Sequence, residues 1–334
     1  MPTMNAFLAP HTLTRMKQLK PHHPVFKLFG TDGDLVIKME GDARLAVGNA
    51  AAIMTAVDPG AKAVMLLSVE MAALKSWSTV CRHGHGCDCA QFRQFAVPQQ
   101  GQVLPTSSWM KMEAKANILD LGEAADNRRA GDKTDIRRMT EVLRAAGGLE
   151  QLGAIIAADA FNGSNDRFAL DGNGGCQFPL NPQQGEQVVR LQCLANVGNV
   201  FVAADPAGGS QVVGLDFFDP GTAFRDWAQP LNEMMSPWPG RLLKLSALGD
   251  RILFMNMVVA DLETTLGPRD RKVVWGRTDR MPKDAAQRLN TGMVQGADRI
   301  KRALIQRART LPTPIGLQQR LSILGWLNHR DFPR

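Results

Sequence analysis

The chain has 334 residues, 44% hydrophobic and 21% charged, proportions that exclude a mainly disordered tail or a collagen-like repeat and allow a real core. At the usual ~100–200 residues per domain, this length points to two lobes or two small domains. The net charge of +7 is modest, and the longest apolar stretches, Ala43–Val57 and Ile252–Ala260, fall short of the ~20 apolar residues of a bilayer-crossing helix.

Met1–Pro24 carries Pro2, Pro10, Pro21 and Pro24 and no uninterrupted apolar run behind a basic start, so no cleaved secretory signal is expected. Five cysteines make an odd count, which without a signal favours reduced thiols. The expected location is cytoplasmic, or outside the cell after export without a cleavable signal peptide. Thr12–Leu19 and Val25–Leu28 then read as strands, followed by the turn cluster Gly30-Thr31-Asp32-Gly33-Asp34 with its hairpin-favouring Asp-Gly pair. Leu35–Glu40 is a third strand with Lys38 among apolar neighbours, and the Ala-rich Asp42–Val57, stopped by Asp58-Pro59-Gly60, reads as a helix. Ala61–Ser68 is strand-like and Glu70–Val80 helical, and a loop rich in His, Gly, Cys and Gln runs from Cys81 to about Ser108. Trp109–Leu121 alternates apolar and polar residues as a connecting strand, and the polar turn Ala125–Thr134 separates an N-lobe, 1–124, from a C-lobe, 125–334.

Beyond that turn the period becomes helical over Asp135–Ala146 and Leu149–Phe161, with Leu149, Leu152, Ile155, Ile156 and Ala160 on one face. Two short strands, Val197–Ala203 and Gln211–Asp216, flank a turn, and further helices are expected at Leu242–Leu266 and Lys283–Arg309. A strand-rich first part and a mainly helical second part give an α+β bilobal plan.

Three segments of the second part place carboxylates or carboxamides where regular structure ends, the position from which a rigid scaffold presents functional groups. Asp159–Phe168 runs off a helix into a polar loop with Asp166 and Arg167. Asn196–Val202 leads a polar turn containing Asn199 into a strand, and Gly214–Pro220 leads a strand into a loop through Asp216. The seventeen residues from Asn199 to Asp216 suit a strand, a turn and a returning strand at ~3.3 Å per residue, which brings both to one edge. The longer Asp166–Asn199 interval spans the Gly-, Asn- and Gln-rich stretch Ala169–Leu194.

Together, over about Leu149–Pro220, these segments resemble the catalytic end of atypical protein kinases, most nearly the actin-fragmin kinase catalytic domain and more distantly the phosphatidylinositol 3-/4-kinase-like kinases. In that group an acidic residue, a polar run and Asn-Asp-Arg are followed by Gly-Asn before a strand and an apolar pair before Asp. The resemblance implies a bilobal protein-kinase-like fold and an ATP-dependent phosphotransferase, a serine/threonine protein kinase using ATP with Mg2+ (or Mn2+). It implies Asp166 as the base for the attacking hydroxyl, Arg167 paired with Asp166 or a phosphate, Asn199 and Asp216 as hard oxygen ligands of the metal, and Asp159 as a brace of the loop. Lys38 is the candidate contact to nucleotide phosphates. Its acidic partner falls to Glu40, Asp42 or Glu70, since the helix after it has no glutamate in its middle.

A second signal is Cys81-Arg82-His83-Gly84-His85-Gly86-Cys87-Asp88-Cys89. Cys81, His83, His85, Cys87 and Cys89 are ligand types that Zn2+ takes in fours. A third is charge: Arg269–Arg309 holds twelve basic against four acidic residues, a field suited to an anionic partner or a membrane surface. Few aromatics are interleaved, which argues against nucleic acid. A protein substrate follows from the resemblance. The rival expectations are a lipid or small-molecule kinase, an adenylyl-transferring kinase-like enzyme, and a zinc-stabilised pseudokinase serving as a binding module.

Overall fold

The computed structural model describes residues 12–40, 44–81, 86–97, 108–162, 164, 166–168, 193–194, 196–205, 208–217, 248–267 and 281–308. It is a mixed α+β protein in two compact units, Met1–Ala52 with Ala61–Lys115, and Ile53–Gly60 with Ala116–Arg334.

In the first unit, β1 (Leu13–Gln18), β2 (Val25–Gly30), β3 (Leu35–Met39), β4 (Ala63–Met65) and β5 (Trp109–Glu113) form one five-stranded sheet in the order β1-β2-β3-β5-β4, antiparallel throughout. Residues directly opposite one another share a face. The pairings Phe26↔Ile37, Leu28↔Leu35, Met39↔Trp109 and Ile37↔Lys111 therefore define one face, and Val25↔Lys38, Lys38↔Met110 and Met65↔Met110 the other. On the first face lies the core, built from Phe26, Leu28, Leu35, Ile37, Leu74, Phe92 and Trp109. Helices α2 (Ser68–Val80) and α3 (Cys89–Ala96) supply Leu74 and Phe92 to it. Phe92 meets Phe26 and Trp109 edge-on, at 5.6 and 5.5 Å between ring centroids. Against the second face, α1 (Arg44–Val57) brings Gly48 to ordinary contact distance of Met65.

Helix α3 lies inside the segment expected to be a loop from Cys81 to Ser108, which is a correction. Its eight residues bury Cys89, Phe92 and Ala96, a spacing of i, i+3 and i+7 that the surrounding Gln and His masked.

The expected connecting strand Trp109–Leu121 is two strands in different sheets, β5 and β6 (Leu119–Asp120). Asn117, with φ 51°, breaks the run between them, a conformation that Asn tolerates better than most residues. β6 pairs with β7 (Phe201–Ala204), which pairs with β8 (Ser210–Val213), all antiparallel. This pairing ties the chain after Lys115 to the second unit, whereas the sequence places the boundary after residue 124.

Where the sequence suggests a polar turn from Ala125, the chain forms α4 (Leu121–Arg129). Asp120 caps it by accepting the Glu123 N–H at 2.7 Å, and Leu121, Ala124 and Ala125 are buried. Helices α5 (Thr134–Arg144), α6 (Gly148–Asn162), α7 (Leu248–Leu266) and α8 (Ala285–Ala308) complete the described part of this unit. α6 is buried along nearly its whole length and packs on α8 through glycines. A Cβ on Gly153 would collide with the Leu289 carbonyl, and one on Gly292 with the Glu150 carbonyl.

Two of the basic residues on α8 serve this packing. Arg288 pairs with Glu150 at 2.8 Å and donates to the carbonyls of Arg144 and Ala145 at the end of α5, and Arg299 donates to the Val57 carbonyl at 2.9 Å. The basic residues from Arg269 to Arg280 lie outside the described residues. No helix among the described residues is long and apolar enough to cross a membrane.

Candidate functional site

Asp166, Asn199 and Asp216 come from three places in the second unit: the loop after α6, the tight turn Val197–Asn199 before β7, and the residues just after β8. Phe201↔Val213 opens the β7–β8 ladder, so Asn199 and Asp216 leave the same end of one hairpin, as the spacing suggested. The Asp166–Asn199 interval is also accounted for at its ends. Phe168 bridges Leu194, and the Asp261 carboxylate on α7 accepts the N–H groups of Cys193 and Leu194 at 2.7 and 2.9 Å. Residues 169–192 lie outside the described residues.

The Asp166 carboxylate accepts two amide donors, Asn199 Nδ2 at 2.5 Å and Asn196 Nδ2 at 3.1 Å. A carboxylate only accepts, so each amide must turn its NH2 toward Asp166. That leaves the Asn199 carbonyl oxygen as a hard donor directed elsewhere. Asn196 uses its own oxygen to cap the turn, accepting the Gly198 N–H at 3.0 Å. Sequence reasoning named only the segment around Asn196. The signal it missed was the spacing Asn-x-Gly, which suits a side-chain cap two residues ahead.

Arg167 holds these pieces together from behind. It is buried to 1% exposure and pairs with Asp159 Oδ2 at 2.7 Å. Its Nε donates to the Asn199 carbonyl at 2.6 Å, and its Nη2 to the carbonyls of Leu215 and Asp216. The expected pairing with Asp166 or a phosphate is thus replaced by an ion pair with Asp159, which braces the loop as expected. One planar guanidinium joins the end of α6, the turn and the residue after β8, a task its fixed fork of donors suits. Asp216 itself is left-handed, φ 54°, and Arg167 grips its carbonyl. Asp58 adds a second tether, accepting the Gly214 N–H at 2.7 Å, two residues upstream.

Asp159 is fully buried, and burial pushes its carboxyl up to about 7. Arg167 pulls it down, while the charges of Asp166 and Asp216 push it up further. Asp166 and Asp216 are therefore both near enough to Asp159 to disfavour its charge. Among the described residues Asp159 Oδ1 and the Ser164 hydroxyl have no hydrogen-bond partner although both are buried. An amide oxygen and carboxylates are donor types that a hard divalent cation takes.

In the first unit, Lys38 Nζ pairs with Glu40 Oε1 at 2.5 Å. Glu70, also considered for Lys38, instead takes Lys111 Nζ at 2.5 Å, with both side chains almost wholly buried. Asp42 lies outside the described residues. Lys111 faces the α2–α3 core and Lys38 the opposite face of the sheet, so the two lysines serve different sides.

The Cys/His motif gathers three of its five members. Cys81 Sγ lies 3.3 Å from Cys87 Sγ, which lies 3.1 Å from Cys89 Sγ. His83 and His85 lie outside the described residues. Burial works to raise the Cys87 thiol, but hydrogen bonds from Cys89 and Cys81 and to the backbone outweigh it and hold it below its ordinary value. Burial, with hydrogen bonds to Cys87 and Cys81, raises Cys89 far above its own. The three sulfurs together could hold a metal.

Comparison with protein-family models, curated proteins and solved structures returned no match to this chain.

Proposed function

We propose that the protein is an ATP-dependent phosphotransferase of bilobal, protein-kinase-like plan, acting on serine or threonine hydroxyls of a protein. The observation that supports this most is the meeting of Asp166 with Asn199, and of both with the Asp216 turn through Arg167. Phosphoryl transfer asks little covalent chemistry of a protein; it needs positioning and charge stabilisation. Bound Mg2+ would supply neutralisation of the triphosphate charge.

The Asn199 carbonyl oxygen and the Asp216 carboxylate are the groups that would hold the ion. Asp166 accepts the proton of the attacking hydroxyl, and its two amide donors fix the carboxylate plane for that task. Arg167 and Asp58 position the backbone and touch no substrate. Lys38 is assigned to the nucleotide phosphates. It is the more exposed lysine, at 20%, and can exchange Glu40 for a phosphate without opening the buried Lys111–Glu70 pair.

The test uses labelled ATP with Mg2+ and a lysate as acceptor. For Asp166→Asn, transfer should fall by about 10²–10⁴-fold while nucleotide binding persists; transfer at the parent rate refutes the assignment. Lys38→Met should raise the KM for ATP in a protein that still folds, with some loss of melting temperature because Glu40, 8% exposed, loses its ammonium. Label on lipid extracts rather than protein would support the lipid-kinase reading, which the basic C-terminal residues favour. For the thiol cluster we propose zinc. Three thiolates are soft donors, and a reduced trio suits a d10 ion.

A further inference from the structure

We infer that the ion at Cys81, Cys87 and Cys89 is a clamp on α2 that fixes Glu70 against Lys111 from the far end of the helix; the inference rests on the zinc assignment made for this cluster.

The three thiols come from two anchored pieces of chain. Cys81 is the capping residue at the C-terminal end of α2, its N–H bonded to the Trp77 carbonyl at 3.0 Å. Cys87 and Cys89 flank Asp88, and that turn is bolted to the edge strand β1 twice. The Asp88 N–H reaches the Met16 carbonyl at 2.9 Å, and its carboxylate accepts the Gln18 N–H at 2.7 Å. Cys89 also opens α3, which buries Phe92 and Ala96 in the same core and sends Arg93 back to the Ser78 carbonyl on α2. An ion bridging the three sulfurs therefore ties the end of α2 to β1.

The sulfur positions suit that role. Ligands at ~2.3 Å around a tetrahedral zinc place sulfurs about 3.8 Å apart. The observed 3.1 and 3.3 Å need to open by only some tenths of an ångström. The fourth position is open to a donor beyond these three.

At its other end α2 is held through Glu70. Glu70 Oε2 accepts the Leu67 N–H at 2.8 Å, and Oε1 the Lys111 ammonium at 2.5 Å. Thirteen residues make α2 about 20 Å long. A helix pinned at both ends cannot slide or rotate on the sheet. Without the ion its C-terminal end keeps the Arg93–Ser78 contact and the packing of Met71, Leu74 and Trp77 but loses its tie to β1, and a slide at one end is felt at the other. Coupling by a rigid element with two anchors is the physical content of the inference.

The test compares zinc-loaded full-length protein with chelator-stripped protein and with Cys87→Ser. Metal analysis and the thiolate-to-metal charge-transfer absorption of the cobalt-substituted protein read occupancy. Amide exchange of Leu67–Met71 reads the distant end of α2. About one zinc per chain is expected, lost in Cys87→Ser. In both metal-free forms, exchange at Leu67–Met71 should quicken at least about tenfold, while α6 amides exchange as before. Absence of stoichiometric metal overturns the zinc assignment and the clamp together. Metal bound, with exchange at Leu67–Met71 unmoved by its removal, overturns the clamp alone. Quickening at α6 as well would mean global unfolding and equally refutes a clamp specific to α2.

Discussion

Arg167→Met is the substitution whose cost can be worked most closely from the structure. The guanidinium serves Asp159 and the carbonyls of Asn199, Leu215 and Asp216. Burial pushes Asp159 up to about 7 even with Arg167 beside it, so the part of the cost that comes from lost charge pairing is smaller at pH 6 than above pH 7. The rest comes from carbonyls that lose the arginine donor, at ~1–3 kcal/mol each where water cannot replace it, giving roughly 3–9 kcal/mol for three. Against a usual ~5–15 kcal/mol of total stability, the variant should sit close to unfolding. Above pH 7 a second effect enters. A carboxyl raised above its unfolded value of 3.8 loses stability as pH climbs from about 4 toward 7, then levels off once the folded form also ionises. Without Arg167 the folded carboxyl holds its proton to higher pH, so the decline continues and the deficit widens by ~1.4 kcal/mol per pH unit. Urea unfolding of both proteins from pH 6 to 9 measures this directly. A deficit below about 1 kcal/mol at pH 6, or one that stays constant to pH 9, refutes the reasoning. Asp159→Asn combined with Arg167→Met should abolish the pH-dependent part and leave the rest.

Two further outcomes follow from packing and burial. Lys111→Met leaves Glu70 charged at 1% exposure and should cost ~3–5 kcal/mol in a urea melt, the usual penalty for breaking a buried pair from one side; a loss under about 1 kcal/mol would show that water reaches Glu70. Gly292→Ala sets a helix-propensity gain of up to ~1 kcal/mol against overpacking of ~1–3 kcal/mol or more, because the new methyl meets the Glu150 carbonyl on α6. A net loss of melting temperature is expected, and a more stable variant would mean that α6 and α8 do not approach as closely as described.

Much of the fold was legible because the elements that bury one face announce their period. The expected strands at residues 12–28 and 35–40 match β1, β2 and β3, and the helix expected over Leu149–Phe161 is α6 to within one residue at each end. The two missed helices share a cause. Both α3 and α4 are short, eight and nine residues, and each hides three apolar contacts among charged or amide side chains. Over two turns, a polar helix and a polar loop read alike until something apolar lies against one side. The connecting strand erred in the opposite sense: Trp109–Met112 is buried at every residue, Lys111 included, and a turn through Ala116 and the left-handed Asn117 carries the chain into the other sheet at Leu119.

The site was legible to the extent that its groups stand at the ends of elements, and illegible where a charge is defined by a partner. Asp166, Asn199 and Asp216 each follow or precede a periodic segment; the spacing of Asn199 and Asp216 suits one end of a hairpin, whereas Asp166 was expected beside them only from the resemblance to atypical kinases. Lys38 and Lys111 could not be told apart that way. Each interrupts an apolar strand, and each has apolar residues on both sides. The difference is a single step of register: Ile37, not Lys38, stands opposite Lys111, and so only Lys111 faces the helix carrying Glu70. A one-residue offset decides which lysine is sealed in the interior and which keeps a side open to solvent. The distinction belongs to strand pairing across some seventy residues of chain, a long-range property that no local window contains. A one-residue bulge in β5 ahead of Lys111 should therefore turn that lysine out of the core onto the face of Lys38 and leave Glu70 without its ammonium, with a loss of stability in a urea melt comparable to that of Lys111→Met.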